Sequence, residues 1–192
     1  MNKIIRIYFH KKNTNICDVH FSDDKKITID NSYLDKYSLF EGEEISDEKL
    51  KKVIAENEYD RAKEKAFFLL TYRDHSVNEL KTKLMKRNFG TNVIEKTIEY
   101  LLKNGYLDDK KFGKIYSKEL IENKRFGTMI IKKKLYQKRL GIEIIDELLN
   151  GLDDDILKGN CEYHFNKKLI LLEKNNSENI KNKLYNFLSA KG

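Results

Sequence analysis

The sequence predicts a mainly α fold of elongated tandem three-helix repeats, preceded by a small N-terminal β-containing module. Short segments near the start alternate apolar and polar side chains, whereas apolar residues from Tyr59 onward recur with the 3.6-residue period of a helix. The 192 residues include no proline, so nothing forces a break inside a long helix. The helical pattern also repeats about every 51–53 residues.

Residues 1–57 form the first predicted unit, a β-hairpin or meander module with a linker helix. A short helix or turn is expected at 33–40, and Ser46 or Asp47 can cap a helical run that ends near Asn57. Turn-like segments, KKNTN and SDD, separate three β-branched and aromatic segments, which are expected to be strands. These strands are predicted at 3–9, 16–21 and 26–29.

Residues 58–107 form predicted repeat 1. Asp74 or Ser76 is expected to cap its second helix, and Asn88 and Gly90 to end it because both tolerate positive φ. Thr91 or Asn92 is expected to cap the third helix, which Asn104-Gly105 ends. The expected inner faces carry Ala62, Ala66, Leu69 and Leu70, then Val77, Leu80 and Leu84, then Ile94, Ile98, Leu101 and Leu102.

Residues 108–152 form predicted repeat 2, and 153–192 an incomplete repeat 3. Asp108 or Asp109 can cap the first helix of repeat 2, Phe126-Gly127 ends it, and Asp153–Asp155 can cap the next repeat. The expected inner residues are Phe112, Ile115, Tyr116 and Leu120, then Ile131 and Leu135, then Ile144, Ile145, Leu148 and Leu149, then Cys161, Phe165, Leu169 and Leu172, then Leu184 and Leu188.

An internal alignment supports these units. KTKLMKRN (81–88), KKKLYQKR (132–139) and YNFLSAKG (185–192) share a leucine at their fourth position, and each has an apolar residue four positions before it. The third copy stops where the first two begin their third helix, which indicates either a truncation or a natural loss of that helix.

The charge of the chain is concentrated in its middle. Charged residues make up 36% of the sequence and the net charge is +7. Residues 58–150 hold 21 basic and 14 acidic side chains, whereas residues 1–57 hold 10 and 11. The excess therefore predicts an anionic partner for the central part of the chain.

Several classes of protein are disfavoured by the sequence. Cys17 and Cys161 have no metal-like spacing, and no apolar run approaches the ~18 residues of a membrane span. The four histidines form no catalytic order, and the glycines form no phosphate-binding loop. We therefore expect a cytoplasmic protein that is not an enzyme, with no cofactor or metal and no membrane association.

A basic run near the centre is the main candidate for partner binding. No acidic residue occurs between 123 and 142. The run is either a solvated face or a surface that contacts phosphates or acidic protein groups, and the absence of glutamates one turn away favours contact. Lys132 and Lys133 are expected to point away from the Ile131/Leu135 stripe, and Lys134 and Lys138 to flank it. The candidate contact residues are Lys124, Arg125, Lys132, Lys133, Lys134, Lys138 and Arg139.

Other polar residues have structural interpretations. Asp108 and Asp109 could bind a metal or act as bases, but helix capping explains them better, because carboxylates satisfy free amides at a helix start. Arg73 is expected to hold a helix C-terminus or an inter-helix ion pair, with a partner contact as the alternative. Tyr116 is expected in the core or between repeats.

Three segments resemble the signature of the RecX regulatory proteins, bacterial modulators of the RecA recombinase. These are LLTYRDHSVNELKTKL (69–84), GYLDD with KKFGKIY (105–116) and NKRFGTMIIKKKL (123–135). The resemblance covers about 58–192, and it departs from the pattern at Arg139, where a helix-ending glycine is common, and in the absent last helix. The motif residues with structural roles are Arg73, Gly105, Asp108, Asp109, Phe112, Tyr116 and Gly127.

The resemblance implies a fold and a function. RecX-like proteins consist of tandem three-helix repeats that bind in the groove of the RecA–single-strand DNA filament. They block strand exchange and coprotease activity, limit filament growth and lower ATP hydrolysis by RecA. The implied partners are that filament and single-stranded DNA, with duplex DNA as a further candidate, and a monomer is expected. The alternative is a sequence-reading DNA-binding regulator built from helix-turn-helix-like units.

Overall fold

The computed structural model describes residues 2–11, 14–175 and 178–192. It divides into two compact units, the first comprising Met1–Thr71 and Lys83–Tyr100 and the second comprising Tyr72–Thr82 and Leu101–Gly192. The described residues form, in order, β1 (Asn2–Phe9), β2 (Ile16–Phe21), β3 (Lys26–Asp30), α1 (Ser32–Tyr37), β4 (Glu44–Ile45), α2 (Asp47–Tyr72), α3 (Val77–Met85), α4 (Thr91–Lys103), α5 (Asp109–Glu122), α6 (Thr128–Gln137), α7 (Ile142–Asn150), α8 (Asp154–Lys174) and α9 (Ile180–Ser189). The predicted fold, mainly α with a small β-containing module, is confirmed.

The N-terminal module is an antiparallel sheet with strand order β3-β2-β1-β4. Its inner face carries residues such as Ile4, Val19 and Ile29, which pack with Leu50 and Val53 from the first turns of α2. The three predicted strands are confirmed, and the short helix or turn expected at 33–40 corresponds to the helix α1 at Ser32–Tyr37, but the short strand β4 was not predicted. Part of the expected KKNTN turn lies outside the described residues. Ser46 caps α2, since its hydroxyl oxygen accepts from the Lys49 N–H at 3.2 Å.

The helical run does not end at Asn57, contrary to the prediction. α2 continues from Asp47 to Tyr72, so the proposed boundary at 57/58 lies inside one helix. Asn57 is buried, and its side-chain oxygen accepts from the Asp30 N–H at 3.0 Å while its amide donates to the Thr28 carbonyl at 3.2 Å. The side chain thus pairs with the outer edge of β3 as a strand would, and its polarity marks a tertiary contact instead of a helix end.

The three aligned segments share a backbone feature at their last residue. Asn88, Arg139 and Gly192 all have positive φ, at 61°, 54° and 90°. The aligned helices α3, α6 and α9 therefore precede the same left-handed position, which supports the internal repeat. Gly90, by contrast, has no positive φ, and its N–H instead donates to Glu58 Oε1 at 2.8 Å.

Repeat 2 has a continuous core. Ile131, Leu135 and Ile145 are fully buried with the aromatic ring of Phe112 beside them. Gly113 lies on the inner side of α5, where an added Cβ would stand 2.6 Å from a methyl group of Leu148 in α7. The glycine therefore allows α5 and α7 to approach closely. Ile115, predicted to be an inner residue, is half exposed.

The inner face of α8 differs from the prediction. Asp153 caps this helix and Leu172 is buried, both as expected, but Cys161 and Phe165 are exposed and Asn160 is buried instead. The side-chain amide of Asn160 donates to the Ile121 carbonyl at 3.0 Å, so a polar residue occupies the inner face because it satisfies a carbonyl at the end of α5. None of the described helices is both long and apolar enough for a membrane span.

Candidate functional site

The basic segment, residues 124–139, follows α5 and includes all of α6. α6 buries Ile131 and Leu135 completely and exposes the opposite side. That exposed side carries Lys132 and Lys133 together with Met129, which is 75% exposed. The predicted orientation of the two lysines is therefore confirmed.

Five of the seven cations of the basic segment have no carboxylate partner among the described residues, and three of these five are not placed on an aromatic ring either. Lys124, Lys133 and Arg139 are exposed and form no ion pair within that part of the chain. Lys132 approaches Asp146 at 3.9 Å, but both side chains are about half exposed, and an ion pair of this kind contributes little. Much of the positive charge of the basic segment is therefore uncompensated by carboxylates of the described residues.

Two further cations lie on aromatic rings. The Arg125 guanidinium is 4.0 Å from the centre of the Tyr163 ring, and the Lys134 ammonium is 5.3 Å from that of Phe126. The Arg125 carbonyl also lies 3.0 Å from the imidazole of His164, whose pKa is lowered by burial. These contacts hold both side chains in place while leaving their positive charge intact.

Lys138 belongs to a different environment. Its ammonium contacts Glu79 Oε1, and Arg73 Nη1 donates to Glu79 Oε2 at 2.9 Å. Burial alone would raise the pKa of Glu79, but the hydrogen bonds from Arg73 and Lys138 outweigh it and lower the pKa to about 2. Lys138 therefore compensates a largely buried carboxylate, which is a structural task that the sequence did not reveal. The ion pair expected for Arg73 is present.

Other hydrogen bonds join the start of α3 to repeat 2. The Ser76 hydroxyl donates to the Lys138 carbonyl at 3.1 Å and accepts from the Glu79 N–H at 3.1 Å. The Val77 N–H donates to Asp109 Oδ1 at 2.8 Å. Burial raises the pKa of Asp109, and the charge of Asp108 adds to that effect. We call this group, Arg73, Ser76, Glu79, Asp109 and Lys138, the ionic joint.

The two aspartates that could cap α5 have separate tasks. Asp108 is the N-cap, and its side chain accepts from the N–H groups of Lys110 and Lys111 at 2.8 and 3.0 Å. Asp109 instead caps α3 from the neighbouring repeat. No group of three or more histidine, cysteine, aspartate or glutamate side chains within the described ranges could hold a metal ion.

The remaining motif residues are two aromatic residues near Lys138 and two glycines at helix boundaries. Phe112 and Tyr116 stack with ring centres 5.7 Å apart, and the Lys138 ammonium lies 5.1 Å from the Tyr116 ring. Gly105 has a φ of 72°, and Gly127 precedes α6 with extended backbone. The structure therefore brings Arg73, Asp109 and Tyr116 together, whereas Gly105 occupies a turn and Gly127 is the N-cap residue of α6.

Sequence reasoning missed Glu79 and Ser76 as members of the ionic joint. A local signal was present, because Ser76-Val77-Asn78-Glu79 fits the capping-box pattern of serine followed three residues later by glutamate. The Ser76 hydroxyl does cap α3, but Glu79 turns to Arg73 and Lys138. The pattern therefore indicates the helix start and not the ion pairs.

Comparisons with known proteins agree with this architecture. Residues 62–101 match the family model described as the first three-helix domain of RecX. The chain is 30% identical to the regulatory protein RecX of Clostridium tetani over 194 residues, which cover 100% of this chain and 89% of that protein. It is 29% identical to the RecX of Clostridioides difficile, over 100% of this chain and 90% of that protein.

Two crystal structures share the fold. One, of a regulatory protein RecX, has a TM-score of 0.72 and 18% identity and covers 100% of this chain and 94% of the other. The second, of RecX from Lactobacillus salivarius, has a TM-score of 0.60 and 21% identity over 70% of this chain and 88% of the other. The helical fold agrees with these structures, and the sequence similarity extends over the whole chain. This chain therefore belongs to the RecX family of regulatory proteins.

Proposed function

We propose that this protein binds the RecA–single-strand DNA filament and inhibits strand exchange, ATP hydrolysis and filament growth. The observation that carries the proposal is the outward side of the basic segment, where Lys124, Lys133 and Arg139 have no carboxylate partner in the described part of the chain. Membership of the RecX family supplies the recombinase as the partner.

The basic segment suits a phosphate-bearing or acidic partner. Lys133 lies at the centre of the exposed side of α6, with Lys132 beside it. Long basic side chains can neutralise phosphates, and each phosphate neutralised on single-stranded DNA steepens the salt dependence of binding by about 0.7 on a log–log scale. Binding by this surface is therefore expected to weaken steeply as salt rises.

The mechanism we infer is steric and electrostatic. Contacts that span adjacent recombinase subunits cap or distort the filament, while the cations compete for DNA or bridge to it. The protein contributes no catalysis and no cofactor, so the change in ATP hydrolysis arises in the recombinase. The proposal includes a cytoplasmic location and action as a monomer.

Charge reversal tests the proposed surface. We expect Lys124→Glu, Lys133→Glu and Arg139→Glu together to abolish most of the inhibition of RecA ATP hydrolysis and strand exchange. A matched control reverses three exposed lysines of the first unit, Lys51, Lys52 and Lys96, and should inhibit as the unaltered protein does. Circular dichroism before each assay confirms that both variants are folded.

Three results would contradict the proposal or part of it. Absence of any effect of the unaltered protein on the recombinase at stoichiometric concentration would exclude the inhibitor function. Binding to one duplex sequence about 10³-fold more tightly than to others would favour a sequence-reading DNA-binding regulator. Full inhibition by the triple variant would show that the basic segment is only a solvated face.

A further inference from the structure

A second cationic site lies in the first unit, outside the basic segment. A pocket of about 390 Å³ opens between one face of α2 and the turn that joins α3 to α4. Neither the sequence motifs nor the ionic joint includes it. It is lined by Arg61, Glu64, Lys65, Phe68, Arg87 and Phe89.

The α2 side of the pocket is a regular helical face. Arg61, Lys65 and Phe68 follow one another at intervals of four and three residues, so they lie in one row along the helix. Ala62 and Ala66 are fully buried. The core side of α2 therefore holds the helix in place and directs the row of larger side chains outward.

The turn that supplies the other side of the pocket is fixed to α2. The Gly90 N–H donates to Glu58 Oε1 at 2.8 Å, and Glu58 lies one turn of α2 before Arg61. Asn88 takes the left-handed conformation that ends α3. Arg87 and Phe89 flank that residue, so the pocket presents them from a turn with a defined position relative to α2.

The pocket combines positive charge with accessible aromatic surface. Arg61, Lys65 and Arg87 form no ion pair within the described ranges, and Glu64 is the single carboxylate in the lining. The Phe68 ring is 50% exposed, and the Lys65 ammonium lies 4.2 Å from its centre. An exposed phenylalanine beside guanidinium groups suits a ligand that has both a flat ring and an anionic group.

We propose that this pocket binds one nucleotide of a single-stranded nucleic acid. The base stacks on Phe68 in place of the Lys65 ammonium, and the phosphate pairs with Arg61 and Arg87. Aromatic side chains beside a cationic groove are the usual means of binding single strands without sequence preference. A pocket of about 390 Å³ is within the size range of small-ligand sites, which suits one nucleotide. An acidic peptide would satisfy the arginines but would place no flat ring against the exposed part of Phe68.

The experiment measures binding of the isolated full chain to a fluorescently labelled oligothymidylate by anisotropy over a range of salt concentrations. We expect Phe68→Ala to weaken binding by about 10-fold with an unchanged salt dependence, because it removes stacking only. We expect Arg61→Ala with Arg87→Ala to reduce the log–log salt slope by about 0.7, since the contact with one phosphate is lost. Lys51→Ala with Lys52→Ala, on exposed positions of the same helix, is the control and should leave binding unchanged.

The measurement is repeated in the variant that reverses Lys124, Lys133 and Arg139, where other DNA contacts are weakened. Persistence of the Phe68 effect in that background supports a separate nucleotide site. Unchanged oligonucleotide affinity after Phe68→Ala, in a variant with native circular dichroism, would overturn the proposal. If Arg61→Ala with Arg87→Ala weakened binding to the recombinase but not to the oligonucleotide, the proposal would also be overturned, in favour of an acidic protein segment as the ligand. The oligonucleotide measurement needs no recombinase, so its result is independent of whether the protein inhibits the filament.

Discussion

Lys138 and Lys133 belong to the same run of basic residues but have opposite environments. The Lys138 side chain is 25% exposed and pairs with Glu79, whose side chain is 15% exposed. Lys133, on the outward side of α6, is exposed and has no ion pair within the described residues. One cation is held by the protein, and the other is left for a partner.

This difference limits what a charge run indicates. The segment lacks acidic residues over twenty positions, which favours partner binding for all of it. Glu79, however, is 59 residues away from Lys138 in the chain and still compensates it. Local sequence can therefore locate a cationic surface, but only the tertiary structure separates its structural cations from its free ones.

The largest expected effect follows from removing the carboxylate of the ionic joint. Glu79→Ala leaves Arg73 and Lys138 facing each other in a half-buried site without their shared counter-ion. We expect the free energy of unfolding to fall by about 3 kcal/mol. Urea unfolding followed by circular dichroism measures this change.

The control for that measurement is Glu99→Ala. Glu99 is exposed on α4 and forms no ion pair among the described residues, so the same substitution should change stability by less than about 0.5 kcal/mol. Equal effects of the two substitutions would contradict the distinction between a structural joint and a solvated surface.

Acid titration tests the same joint without changing its shape. The folded-state pKa of Glu79 is about 2, below the ordinary value of 4.5. The carboxylate therefore contributes stability above about pH 4.5, and that contribution is lost as the pH falls toward 2. We expect a loss of about 2 kcal/mol from this group over that range, after discounting for solvent screening.

Comparison with Glu79→Gln isolates that contribution. Asp18 in the N-terminal sheet also has a lowered pKa, because its hydrogen bonds with Lys26, Thr28 and His10 outweigh the effect of burial, so the unaltered protein loses stability from more than one group. The difference in unfolding free energy between the two proteins should shrink as the pH falls. A difference that stays constant from pH 6 to pH 2.5 would exclude Glu79 as the titrating group.

The repeat architecture could be predicted because its signals are local. Apolar spacing located α5, α6 and α7, and the aligned leucines located their common register. Asn88, predicted to end a helix because asparagine tolerates positive φ, has a φ of 61°. Such features depend on residues within one or two helical turns, so sequence alone contains them.

Three of the errors share one physical cause, which is hydrogen bonding between residues that are distant in the sequence. Asn57 suggested a helix end, but it binds the edge of β3. Asn160 was overlooked in favour of Cys161, although it donates to the Ile121 carbonyl. Asp109 was one of two alternative caps for α5, but Asp108 caps that helix and Asp109 accepts from the Val77 N–H. In each case a polar side chain satisfies a backbone group that is far away in the sequence, and no local pattern reveals that partner.

A smaller effect on stability is expected at Arg139, the last residue of the basic segment. Arg139 has a φ of 54°, in the left-handed region that favours glycine, and the aligned third repeat has glycine there. Arg139→Gly should therefore raise the free energy of unfolding by about 0.5–1 kcal/mol. Arg139→Ala is the matched control, because it removes the same charge but keeps the backbone strain. Stabilisation by alanine as large as that by glycine would show that charge repulsion, not backbone conformation, limits stability at this position.

The smallest effect is predicted for Lys133 and completes the comparison with Lys138. Lys133→Ala removes an exposed side chain with no ion pair among the described residues, so stability should change by less than about 0.5 kcal/mol. Lys138→Ala removes one of the two cations that compensate Glu79 and should lower stability by about 1–2 kcal/mol. Inhibition of the recombinase should show the reverse order, with the larger loss at Lys133. If both substitutions affected stability and inhibition to the same degree, the basic segment would act as one undivided surface, because neither cation would have a task of its own.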